Sequence, residues 1–67
     1  MLKLHKYHDT GDWTTEKING HFCVISKGSI GWNIHLDGDY CLSEGYAETL
    51  KEARNEAEYI LNNCKEG

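Results

Sequence analysis

The chain has 67 residues, a net charge of −4 and a hydrophobic fraction of 39%, with two Trp, four Tyr and one Phe. That length makes one domain, residues 1–67, with a core near the lower limit for folding alone, and its apolar content argues against a disordered chain. No apolar run approaches the roughly 18 residues of a membrane span, and the N-terminus has no apolar signal region, so the expected partners exclude membrane.

Residues 2–7 alternate Leu2 and Leu4 with polar neighbours and read as a strand. Asp9-Thr10-Gly11-Asp12 is a turn cluster, and residues 13–18 form a second short run, rich in Thr and opened by Trp13. Asn19-Gly20 is the strongest turn signal, because a two-residue hairpin loop requires positive φ at both positions. Residues 21–27 hold Phe22, Val24 and Ile25. Gly28-Ser29-Ile30-Gly31 is a third turn. Trp32, Ile34 and Leu36 then alternate with Asn33 and His35, the two-residue period of a half-buried strand. Asp37-Gly38 is a fourth turn, and Tyr40 and Leu42 repeat the strand pattern more weakly. A helix is expected over about 49–63. Thr49 stands at its N-cap, with Glu52 three residues on as a capping box requires. Leu50, Ala53, Ala57, Ile60, Leu61 and Cys64 form one apolar stripe.

The expected fold class is therefore α+β: a small antiparallel meander of three to five strands, all within residues 2–43, packed against one C-terminal helix. Such a sheet has a second face, where Asn33 and His35 are expected to meet water. Cys23 and Ile25 alternate with Phe22 and Val24, so one of those pairs is expected to form an apolar patch or to be folded over by Leu2, Leu4 or Trp13.

The residues give little support to a reaction. His5, His8, His21, His35, Cys23 and Cys41 lack the doubled short spacing of a zinc site. The pair His21 and Cys23 shares one strand face, and Cys64 belongs to the helix stripe. Gly28-Ser29-Ile30-Gly31 lacks the lysine and following helix of a phosphate cradle. No cofactor, no metal and no enzyme activity are expected. Three Cys, an odd number, suit a reduced cytoplasmic chain. A nucleic-acid-binding alternative would stack bases on Trp13, Tyr7 and Tyr40, with Tyr46 nearby. The dispersed Lys3, Lys6, Lys17 and Lys27 do not make the basic stripe that phosphate contact needs.

The positive clue is acidic. Residues 1–33 carry four lysines against three carboxylates, whereas residues 34–67 carry three cations against eight carboxylates. Glu48, Glu52 and Glu56 recur every four residues, a like-charge spacing that costs a helix a few tenths of a kcal/mol. With Asp37, Asp39 and Glu44 they make a candidate partner-binding surface for a basic protein. Arg54 and Glu58 are spaced for an ordinary ion pair along the helix. A homodimer joined through the open sheet face is the remaining alternative.

Residues 31–61, with Ser43-Glu44-Gly45 followed by Thr49-Leu50-Lys51-Glu52-Ala53, resemble the N-terminal domain of HicB-type antitoxins and similar small phage and mobile-element proteins. The resemblance implies an acidic partner-binding domain that blocks a small basic toxin or nuclease, in the host cytoplasm if phage-encoded.

Overall fold

A computed structural model describes residues 2–7 and 11–64. They form five strands and one helix: β1 (Leu4–Tyr7), β2 (Asp12–Thr15), β3 (Cys23–Lys27), β4 (Trp32–Leu36), β5 (Gly45–Ala47) and α1 (Leu50–Asn63). The strands lie in the order β1-β2-β3-β4-β5, each antiparallel to the one before. This is the α+β meander with one C-terminal helix that the sequence pattern predicts.

Two turns follow directly from their residues. Asn19 and Gly20 have φ of 56° and 81°, and Ile18 and His21 exchange both backbone hydrogen bonds across them, at 2.8 and 3.0 Å. Asp37 and Gly38 repeat the conformation at φ of 56° and 74°, and Asp39 N–H closes that turn onto Leu36 O. The cluster 9–12 lies partly outside the described residues, as does His8.

The register assigns the faces. Directly opposed residues of antiparallel strands share a face, so Trp13, Ile25, Ile34 and Gly45 stand in one row. α1 covers this face, packing on β5, β4 and β3. Ala53 and Ala57 are wholly buried, and their lack of bulk brings the helix backbone close to the sheet. Leu61 of the helix and Leu2, ahead of β1, are buried in the same cluster as Cys23, Ile25 and Ile34. Thr49 caps the helix as expected: its hydroxyl accepts from Glu52 N–H at 3.1 Å and donates to Glu52 Oε1 at 3.2 Å. Such a cap contributes about 1 kcal/mol. The other helix end is held by Asn19, whose amide donates to the carbonyls of Leu61 and Cys64.

Three local expectations are corrected. The first strand starts at Leu4, because Leu2 turns into the core. The second ends at Thr15, whose hydroxyl accepts from Cys23 N–H and so holds β3 by a side chain. The last strand is residues 45–47, beyond the expected limit at 43, while Tyr40 and Leu42 lie in an exposed loop. Tyr40 there leans over the sheet against His35 rather than pairing within it. Glycine suits position 45 because a side chain there would be crowded by helix and sheet alike: its Cβ would sit 3.1 Å from Glu56 Cγ and 3.2 Å from Ile34 Cδ1.

The second sheet face is also corrected. His35 is not turned to water but is 6% exposed. The 37–44 loop folds back over it, with the Tyr40 ring centroid 4.9 Å from the imidazole. Val24 is wholly buried on the same side, so both apolar sets of β3 are covered.

Candidate functional site

Glu52 and Glu56 fall one helical turn apart, Glu48 precedes the extended N-cap Thr49, and all three are exposed. Glu56 lies along the β5 side of the helix, where its stem approaches Gly45, and Glu44 precedes that strand. The four carboxylates thus follow the β5 edge of the molecule. Glu52 is partly engaged by its own cap through Thr49. No salt bridge involves these four among the described residues.

Asp37 and Asp39 sit apart in role. Asp37 accepts from His21 Nδ1–H at 2.9 Å and from Phe22 N–H at 3.4 Å, and the His21 bond chiefly holds its carboxyl below the usual range. Asp39 accepts from Cys41 N–H at 3.0 Å. Asp39 serves the turn it stands in, whereas Asp37 reaches across to His21, a use that sequence spacing does not reveal because His21 is 16 residues away. A group whose folded pKa is depressed stabilises above its ordinary range and loses that contribution as pH falls through the folded value. Asp37→Asn is therefore expected to lower the urea midpoint at about pH 7 and to match the parent at about pH 2, where the parent carboxyl is protonated too. An equal gap at both pH values would show that the bond to His21 is not the source.

The aromatic set is divided. Trp13 shares the helix-covered face with Ile25 and is partly buried against the core, with Lys6 Nζ 5.5 Å from its ring centre. Tyr7 is on the other face, opposite Asp12. Tyr40 leans on His35 and donates its hydroxyl to Asp12 Oδ2 at 2.8 Å. Burial first, and that carboxylate second, push the Tyr40 phenol up to about 12. Tyr46 donates to Ile30 O at 2.8 Å and ties β5 to the β3–β4 loop. The four rings do not form a common stacking surface.

His35 is a buried group that sequence reading placed in water. Its Nδ1 donates to Leu42 O at 2.7 Å, since a carbonyl only accepts, and in the neutral ring Nε2 accepts from Ser26 Oγ at 2.8 Å. Both nitrogens are thereby satisfied, and the imidazole pins the 37–44 loop to the sheet. His21 and Cys23 do not form a ligand pair: His21 is bound to Asp37, and burial pushes the Cys23 thiol up to about 12. Among the described residues no three His, Cys, Asp or Glu gather as metal ligands, and no helix is long and apolar enough to cross a membrane. The expected pair of Arg54 with Glu58 does not form; the guanidinium donates instead to Asn55 Oδ1 at 3.3 Å.

Comparison with protein-family models, with curated proteins and with solved structures finds no match for this chain.

Proposed function

We propose that the protein is a partner-binding module that acts by stoichiometric contact, inhibiting or regulating a protein with a basic surface. The observation that carries this reading is the exposed row Glu44, Glu48, Glu52 and Glu56 along the β5 edge. Glu52 and Glu56, one helical turn apart, repel one another, so the row is kept at a small cost to stability. Clustered negative charge steers a basic partner and fixes its register. Asp37 and Asp39 leave the proposed contact set, because their oxygens are engaged at home. The antitoxin-type resemblance of residues 31–61 favours a small basic nuclease or toxin as the target, in a phage or mobile-element setting.

The test is affinity capture from source-cell lysate with and without nuclease treatment, run with the parent and with the Glu52→Lys/Glu56→Lys variant side by side. A basic protein retained by the parent and lost by the variant is the expected result. Equal retention by both would overturn the reading. Recovery that depends on nucleic acid would replace it with binding at the sheet face. The single change Glu56→Lys should meanwhile raise stability by a few tenths of a kcal/mol, because it turns a repulsive i, i+4 contact with Glu52 into an attractive one. Thermal unfolding of the two proteins at low salt checks this.

A further inference from the structure

The edge opposite the acidic row is built differently. Between the N-terminal segment and α1 runs an open cleft of two adjoining parts, about 500 and 270 Å³. Leu2, Leu4 and Leu50 give it an apolar lining, and Lys3, Lys51 and Arg54 supply cations. Lys3 and Lys51 are exposed, and no described carboxylate lines either part. This local surplus of positive charge stands out in a chain of net charge −4.

Arg54 is the informative residue. One Nη donates to Asn55, but its Nε is buried without any hydrogen-bond acceptor. A buried donor of a charged group left unmatched is costly, and a carboxylate in the cleft would give the guanidinium a two-point contact. β1, beside the cleft, pairs only with β2 among the described residues and is an edge of the sheet. Edge strands accept an added strand, with backbone bonds giving affinity and alternate side chains giving selectivity.

We propose that this cleft binds an extended acidic peptide segment of another protein, laid beside β1 as a sixth strand. One apolar side chain of the segment enters between Leu4 and Leu50, and the flanking carboxylates meet Arg54 and Lys51. The site is independent of the acidic row, which lies across the helix from it.

Fluorescence anisotropy with a labelled short peptide alternating glutamate and valine tests this, beside its lysine-for-glutamate counterpart and decanoate as a competitor. The acidic peptide is expected to bind the parent, and to bind Arg54→Gln and Lys51→Glu at least about tenfold more weakly, a loss of about 1.4 kcal/mol. Lys51 is a surface residue, so that variant tests the contact even if the first perturbs packing. Amide NMR shifts on binding should centre on Leu4, His5 and Lys6. Binding that is equal for both peptides, unchanged in both variants, or confined to decanoate would overturn the proposal, as would shifts that bypass β1.

Discussion

Replacing Ile34 by alanine is expected to remove about 3 kcal/mol of stability, the usual cost of deleting a large buried aliphatic group. Ile34 is wholly buried at the centre of β4, opposite Ile25 on one side and Gly45 on the other. Its Cδ1 reaches the space over Gly45, where β5 and the helix meet. No small side chain can bridge those three elements. A domain of this length has roughly 3–10 kcal/mol in total, so the substitution removes from about a third to all of it. Urea unfolding followed by Trp fluorescence measures it. Ile30→Ala is the matched control, since Ile30 is 82% exposed and its loss should change the midpoint little. Similar midpoints for the two variants would contradict the packing described.

Gly31→Ala is expected to cost about 2–3 kcal/mol, an overpacking penalty at a site that cannot relax. A Cβ there would lie 2.6 Å from the Ala47 carbonyl oxygen and would overlap the Tyr46 hydroxyl. The hydroxyl belongs to a side chain that can swing away; the carbonyl is backbone, held in β5 by its pairing with β4. Tyr46→Ala combined with Gly31→Ala should therefore recover only part of the loss. Gly20→Ala gives the contrast. Nothing lies within 4 Å of its Cβ, and its cost comes from φ of +81° alone, about 1–2 kcal/mol. Denaturant midpoints for the three variants separate crowding from conformation. A double variant restored to parental stability would mean that the carbonyl is not the obstacle.

Gly31 also shows where sequence reading stops. Its place in Gly28-Ser29-Ile30-Gly31 was legible as a turn, and the turn is there, with Gly28 N–H bonded to Gly31 O. The close passage of Ala47 was not legible, because it depends on a strand 16 residues downstream. The same division holds throughout. Asn19-Gly20, the alternation of Trp32 to Leu36 and the Thr49 cap were readable because each expresses its geometry within a few residues. β5 was missed because Gly45-Tyr46-Ala47 has weak strand character of its own; β4 and the alanines of α1 make it a strand. His35 was assigned to the correct face, but the returning loop that buries it left no periodic trace. In the candidate site, the row of glutamates is legible from its four-residue spacing, although only Glu52 and Glu56 lie on the helix. The withdrawal of Asp37 was not, since its partner His21 comes from a distant turn.

The order of elements bears on how the chain is made. All five strands precede α1, so in synthesis the sheet leaves the ribosome before the helix that covers Ile25 and Ile34. At about 5–20 residues per second, the helix follows over roughly 1–3 s. Through that interval the hydrophobic side of the nascent sheet is bare, and only with the arrival of Leu61 does the lid close. A stalled or prematurely ended translation product would therefore be a substrate for chaperones and proteases rather than a weakened version of the finished protein.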